Sequence, residues 1–298
     1  MISVLIPTYN YHVYPLVQEV HKQLDKTGVA FEILVYDDHS TQEIQNSQAM
    51  KDLPHVVYHR LSNNIGRLAI RHQMAKDARY DFLLFMDADV FSKDRFFISK
   101  LLKALEQKQA DVYFGGITVP EHPFSPDKML RWQYGKERES LALSERLEKP
   151  YRSVICGSLA VSKSVFLQET ESMLPINKYG LDTLFSYRLM KNKRKVQHYN
   201  NPVVHLGLET NEAFIQKTKN ALQTYKYLID NDFLPKDYIK LTRYAYKIKK
   251  VCPLPVCRLL YSVFSPLILL NLKSAKPSLK IFDLYKLLYF SQLTSQDK

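Results

Sequence analysis

The sequence predicts an α/β fold: a mostly parallel sheet flanked by helices, with a helical C-terminal appendage. Three observations carry this. From Ile2 to Phe114, short apolar runs alternate with stretches of helical period, the pattern of repeated β-α-β units. The runs Ile2–Ile6, Phe31–Tyr36 and Phe82–Met86 are apolar on nearly every residue rather than every second one, as in strands covered on both faces. Of 298 residues, 46% are hydrophobic and 24% charged, which suffices for one large α/β domain with an appendage or for two small domains.

Taken in order, Ile2–Ile6 reads as a first strand feeding the loop Pro7-Thr8-Tyr9-Asn10. The start lacks the basic and long apolar segments of an export signal and reads as a strand. Val13, Leu16, Val17, Val20 and Leu24 have helical spacing, and that helix closes at Gly28. A second strand, Phe31–Tyr36, ends at Asp37-Asp38-His39-Ser40, and Val56–Tyr58 is a short third. Asn63-Asn64-Ile65-Gly66 is a turn that opens a helix through Leu68, Ile70, Met74 and Ala75. The Phe82–Met86 strand follows, then a helix from about Lys93 to Gln107 and a strand from Asp111 to Phe114. With right-handed crossovers, the loops after strands one, two and four gather along one sheet edge, where Thr8, Asp38 and Asp87 can meet.

The abrupt end of the Phe82–Met86 run at Asp87-Ala88-Asp89 is the main chemical signal. Period-2 alternation would put both carboxylates on one side, with only the small Ala88 between them. Two such charges repel unless a cation lies between them, and two hard oxygen ligands suit Mg²⁺ or Mn²⁺ carrying substrate phosphates. Spacing alone decides nothing, since Asp230-Asn231-Asp232 has the same spacing and reads as a polar turn. The buried strand before Asp87 is what differs.

Four blocks, S-V-L-I-P-T-Y-N, E-I-L-V-Y-D-D-H-S, N-I-G-R-L-A-I-R-H-Q and F-M-D-A-D, occur in one order over Met1 to about Val90. In that order the chain resembles the family 2 inverting glycosyltransferases of GT-A fold, with more diffuse matches to about Gly207. The resemblance implies that Asp37 and Asp38 hold the nucleotide, while Pro7, Thr8 and Tyr9 pack on base and ribose. It implies that Asn64 and Gly66 approach the nucleotide, Arg71 steadies the acidic loops or the diphosphate, and Asp87, Ala88 and Asp89 bind metal and diphosphate. Val154 to Val161, with Cys156, Gly157 and Ser158, resembles the loop and strand lining an acceptor pocket. Asp182, at the first turn of a helix whose apolar face is Leu181, Leu184, Phe185 and Leu189, stands where the family has its catalytic base. His205 is a candidate third metal ligand or diphosphate contact, with a structural role as the alternative. His39 stands where the family commonly has Gly, and His72 where it commonly has Asn.

Pro120 to Tyr151 breaks the alternation and resembles an excursion over the acceptor side. Arg131-Trp132 lacks the preceding Gln of the processive synthases and lies upstream of where that motif belongs, so a non-processive enzyme is expected. Asn211–Asp230 reads as one amphipathic helix. A catalytic domain over residues 1–231 and a basic tail over 232–298 follow. From Pro235 to Lys298, twelve Lys and Arg stand against three Asp and Glu, most of the net charge of +12. Leu254–Leu272 is apolar but broken by two Pro, one Arg and a Ser-Pro step, marginal for spanning a membrane. With Lys240 to Lys250 before it and Lys273 to Lys286 after it, an interfacial helical hairpin on an anionic membrane is expected, the alternative being a helix pair packed on the catalytic domain. Nucleic acid is not an expected partner, because the basic residues lie among apolar helices without a binding module. Three cysteines without zinc-ligand spacing favour a reducing, cytoplasmic setting.

The sequence therefore points to transfer from a nucleotide-sugar, with UDP first among donors, to a glycan or lipid-linked hydroxyl, with Mn²⁺ or Mg²⁺ as cofactor. A sugar nucleotidyltransferase would need a Gly-rich basic N-terminal loop in place of Pro7-Thr8-Tyr9-Asn10. A non-catalytic nucleotide-sugar-binding membrane scaffold is the non-enzymatic alternative.

Overall fold

Runs that are apolar on consecutive residues have nowhere to go but between two layers of helix, and that is where they lie. The computed structural model describes residues 1–123, 125–152, 154 and 157–293. The first elements are β1 (Ile2–Thr8), α1 (Tyr14–Asp25), β2 (Phe31–Asp37), α2 (Ser47–Lys51), β3 (Val56–Arg60) and α3 (Arg67–Asp77). Next come β4 (Phe82–Met86), β5 (Val90–Phe91), α4 (Phe97–Glu106), β6 (Val112–Phe114), β7 (Ile117–Thr118), α5 (Met129–Tyr134) and α6 (Leu143–Glu148). They are followed by β8 (Ser158–Ser162), α7 (Lys163–Thr170), α8 (Asp182–Lys191), β9 (Val196–His198) and β10 (Val203–His205). Four further helices are α9 (Asn211–Asp230), α10 (Lys240–Lys249), α11 (Leu254–Leu272) and α12 (Leu279–Leu293).

The chain divides into two compact units. The first comprises Met1–Val119, Glu139–Asn177 and Arg188–Gly207, the second Pro120–Arg138, Lys178–Tyr187 and Leu208–Lys298. The boundary proposed at residues 231 and 232 concerns which segment is catalytic, and it stays a proposal.

The first unit is built on a seven-stranded sheet in the order β3-β2-β1-β4-β8-β6-β9. β1 lies parallel to both β2 and β4, and β2 parallel to β3, as the alternation of strands and helices predicts. β8 departs from this, running antiparallel to β4 and β6. β1, β2 and β4 bury almost every residue, so the sheet is covered on both faces. On α4, the face made by Phe97, Ile98, Leu101, Ala104 and Leu105 is buried. A second sheet, β5-β10-β7, has three strands of two or three residues each.

The second unit is helical. Its core joins Leu130 of α5, Phe214 and Ile215 of α9, Ile268 and Leu272 of α11, and Leu279, Phe282 and Tyr285 of α12. Asn211 ties this core together, its Oδ1 accepting from the Leu130 N–H at 2.8 Å and its Nδ2 donating to the Ser274 carbonyl at 3.3 Å. Arg131 and Trp132 serve this unit too. Arg131 pairs with Glu209 at 3.3 Å and Trp132 Nε1 donates to the Pro120 carbonyl at 2.8 Å.

Candidate functional site

Parallel pairing aligns the carboxyl ends of β1, β2 and β4, with Thr8 opposite Asp37 and Leu5 opposite Phe85. An edge of this kind is where open α/β sheets bind ligands. The loops there are tied by polar groups. Asp38 N–H donates to the Thr8 carbonyl at 2.9 Å, and Asn10 Oδ1 accepts from the Thr41 N–H at 2.8 Å. Asn10 (φ 51) and His39 (φ 62) both take the left-handed conformation. That explains the glycine common at position 39 in the resembled family, since only Gly adopts it without cost. Pro7 is half-buried, Thr8 is buried with its hydroxyl donating to the Tyr11 carbonyl at 3.3 Å, and Tyr9 stands out exposed.

The two expected nucleotide carboxylates are both buried and both hydrogen-bonded within the protein, but to different partners. Asp37 is fully buried, and the protein uses both of its oxygens. Oδ1 accepts from the Ser40 N–H at 2.8 Å and hydroxyl at 2.5 Å, and Oδ2 from the Tyr58 phenol at 3.1 Å. Asp38 accepts from the Ile65 N–H at 2.8 Å and the Gly66 N–H at 3.0 Å, with Asn64 Nδ2 donating to its carbonyl at 2.9 Å. It thus secures the turn before α3, where Gly66 at φ 87 provides the bend.

Asp87 and Asp89 lie beyond the end of the strand, not on a continuation of it. β4 ends at Met86, and Asp87-Ala88-Asp89 is a turn closed by the Val90 N–H donating to the Asp87 carbonyl at 3.2 Å. Strand alternation stops with the strand, so the sequence-derived geometry of two carboxylates on one side is corrected here. Asp87 meets two arginines one helical turn apart on α3: Arg67 at 2.7 Å and the buried Arg71, whose guanidinium contacts its Oδ1. Asp89 instead meets His205, whose Nε2 lies 3.1 Å from Asp89 Oδ2. Burial pushes the Asp89 carboxyl upward, but the hydrogen bond and charge of His205, with the charge of Arg67, bring it below its ordinary value.

The edge of β10 holds Asp89 in place. His205 pairs opposite Val90, and the Leu206 N–H donates to the Asp89 carbonyl at 2.8 Å. Gly207 presses so close that a Cβ there would stand 2.1 Å from Asp89 Oδ2. Tyr11 belongs to the same neighbourhood: burial first, then the charge of Asp89, raises its phenol. Neither Gly207 nor Tyr11 was picked out by sequence reasoning. The one available signal was a glycine two residues beyond a candidate ligand.

Cys156 lies outside the described residues. Gly157 accepts from the Asp87 N–H at 3.0 Å, and a Cβ on it would come 3.7 Å from Asp87 Oδ2, so it abuts the acidic turn. Ser158 is buried, opposite Met86 in the sheet. His72 is buried as well, with Nδ1 2.9 Å from the Thr170 hydroxyl and Nε2 3.0 Å from Glu171. Asp182 belongs to the second unit, where it is exposed at the first position of α8. Beside it, the Thr183 hydroxyl donates to the Tyr225 phenol at 3.0 Å, and Gly180 at φ 95 packs on Ala221.

Among the described residues no three or more His, Cys, Asp or Glu come together as a metal-binding group. Of the expected ligands Asp87, Asp89 and His205, a divalent ion at this edge would find Asp89 and His205 already together, with Asp87 held by its arginines. One carboxylate and one imidazole suit Mn²⁺ better than the oxygen-preferring Mg²⁺, with water and substrate phosphates filling the remaining positions.

The family profile described as Glycosyl transferase family 2 matches residues 3–169. No curated protein sequence matches the chain significantly. Solved structures do match. Mannosyltransferase PcManGT from Pyrobaculum calidifontis, in complex with GDP-Man and Mn²⁺, has a TM-score of 0.53 at 14% identity, covering 98% of this chain and 85% of that one. Mannosyl-3-phosphoglycerate synthase from Rubrobacter xylanophilus has 0.53 at 13% identity, over 79% and 76%. S. aureus TarS 1-349 with UDP-GlcNAc has 0.50 at 17% identity, over 99% and 92%, while of the longer TarS chain this protein covers 39%. At these identities the likeness is one of fold, the GT-A fold.

Proposed function

We propose, starting from the fact that the chain belongs to glycosyl transferase family 2, that it is a non-processive, inverting glycosyltransferase. The donor would be a nucleotide-sugar, UDP-linked first, and the acceptor a hydroxyl of a glycan or lipid-linked saccharide. The observation that carries this reading is the pairing at the carboxyl edge of β4: Asp89 with His205, and Asp87 with Arg67 and Arg71. The mannosyltransferase of like fold holds GDP-Man and Mn²⁺, and the TarS fragment UDP-GlcNAc, so this architecture accommodates such donors.

In this account Tyr9, exposed beside the loop tied to Asp38, packs on the base, and the N-terminal end of α3 with Arg67 faces the diphosphate. Asp87 keeps Arg67 and Arg71 oriented. Asp89 and His205 would hold Mn²⁺ or Mg²⁺, which supplies neutralising charge for the departing diphosphate. Asp182, exposed at the start of α8, takes the proton from the acceptor hydroxyl. As the acceptor oxygen bonds to the anomeric carbon, the bond to the diphosphate oxygen on the opposite face breaks. The configuration inverts without a covalent sugar–enzyme intermediate. Gly157 and Ser158 would border the acceptor, and the reaction would take place in the cytoplasm.

The test is nucleoside diphosphate release from a panel of nucleotide-sugars with saccharide acceptors. Asp182→Asn is expected to lower the rate by roughly 10²–10⁴-fold while leaving donor binding intact. A wild-type rate in that variant would remove Asp182 as the base.

A further inference from the structure

Helix α11 is apolar on two opposite faces, and only one of them is packed. Cys257, Ile268 and Leu272 are buried, and Ile268 and Leu272 join the core made with α5, α9 and α12. Tyr261, on the same side, packs on Tyr285 with tilted rings whose centroids are 6.0 Å apart. The other face carries Val256, Leu259, Val263, Leu267 and Leu270 at spacings of three and four, which at about 100° per residue fall within an arc of about 80°. These five are 42%, 62%, 54%, 66% and 72% exposed. A contiguous exposed apolar stripe of this length marks a contact surface, and this one is not in the core.

Charge identifies what covers it. α11 contains no Asp or Glu, Lys249 and Lys250 precede it, and Lys273, Lys276 and Lys280 follow it. Lys273 pairs with Glu212 at 2.7 Å, and Lys250, Lys276 and Lys280 add positive charge at the two ends. A second copy laid on the stripe, parallel or antiparallel, would oppose basic ends to basic ends. An anionic surface with an apolar interior complements both the stripe and its flanks.

We propose that α11 lies in the plane of an anionic bilayer, the Val256–Leu270 stripe among the acyl chains and the flanking lysines at the headgroups. By length and composition alone the helix also qualifies to cross a membrane. Crossing would withdraw Ile268 and Leu272 from the core they share with α5 and α9, so the helix is embedded from one side only.

The test uses the full chain and sedimentation with vesicles of phosphatidylcholine alone or with about one quarter phosphatidylglycerol, enough for a negative surface potential. Wild type is expected to sediment with the anionic vesicles and to be released by high salt. Leu259→Gln combined with Leu267→Gln alters exposed side chains only and is expected to weaken binding at least about tenfold, with the thermal midpoint unchanged. Lys250→Gln, Lys276→Gln and Lys280→Gln together are expected to abolish the preference for phosphatidylglycerol. Wild type left in the supernatant, or a stripe variant that binds as wild type does, overturns the proposal. So does retention after an alkaline carbonate wash, which indicates a spanning helix. A wild-type dimer that the stripe variant converts to a monomer would assign the face to a second copy instead.

Discussion

Gly207 offers the sharpest perturbation of the site. Its φ is not among the positive values found at Gly28, Gly66, Gly116 and Gly180, so glycine is required there only for its missing Cβ. An added Cβ would stand 2.1 Å from Asp89 Oδ2 and 2.7 Å from both Asp89 Cβ and Cγ, where real Cβ contacts essentially never fall under 3.0 Å. In Gly207→Ala, the Asp89 carboxylate or the loop must therefore give by about 1 Å. Displacement on that scale parts Asp89 from His205, now 3.1 Å away. Misplacing a positioning group by ~1 Å costs on the order of 10² in rate, about 2.7 kcal/mol of barrier. Overpacking itself costs about 1–3 kcal/mol of stability. Nucleoside diphosphate release at saturating donor separates the two effects when read beside urea unfolding. Gly28→Ala is the control, because its Cβ meets nothing within 4 Å and only the strain of φ +66 remains. It is expected to lose stability without losing rate. A folded Gly207→Ala enzyme with wild-type rate would refute the claim that the reaction is assembled on Asp89.

Further outcomes follow from the same geometry. Arg71→Ala strips a buried guanidinium from Asp87, whose side chain is only 17% exposed but keeps Arg67. A loss of about 2–3 kcal/mol in urea unfolding is expected, near or below the usual range for a broken buried pair. Arg67→Ala removes a half-exposed partner and is expected to cost under about 1 kcal/mol of stability while weakening diphosphate binding. Burial, aided by the charge of Lys76, holds the His72 imidazole below its ordinary value against the opposing pull of Glu171. The fold favours the neutral ring, so this stabilisation is present above the unfolded value of about 6.5 and is lost as pH falls towards the lower folded value. Thermal midpoints measured from neutral to mildly acid pH are expected to fall more steeply in wild type than in His72→Asn.

Local patterns made β1 to β4, β6 and the Arg67–Arg71 pair readable, because each depends on a run of neighbouring residues. The consecutive burial of β1, β2 and β4 appears in the sequence as apolar runs broken only at Ser3 and Glu32, and the meeting of their loops follows from crossover handedness. What could not be read depended on distant segments. β8 runs antiparallel, and no local feature of Ser158–Ser162 states its direction. The grip of β10 on Asp89 joins residues 116 positions apart in the chain. Sequence alternation was extended too far at Asp87, where the backbone turns at the end of β4, and the two arginines that meet that carboxylate come from α3. Asp37 and Asp38 are equivalent on paper. The structure gives them different partners, Ser40 and Tyr58 for Asp37 and the Ile65 and Gly66 N–H groups for Asp38. The five-residue helix α2 escaped prediction because so short a segment has no measurable period.

The most direct measurement is the thermal midpoint of wild type and Asp89→Ala, with and without Mn²⁺, across a panel of nucleoside diphosphates. Ligand held by the native state raises the midpoint by mass action, about 2.7 kcal/mol at a hundredfold excess over Kd. The account predicts a Mn²⁺-dependent rise with one nucleoside diphosphate in wild type, abolished in Asp89→Ala. A folded wild-type protein that shifts with none of them, or an Asp89→Ala variant that shifts as wild type does, would contradict it.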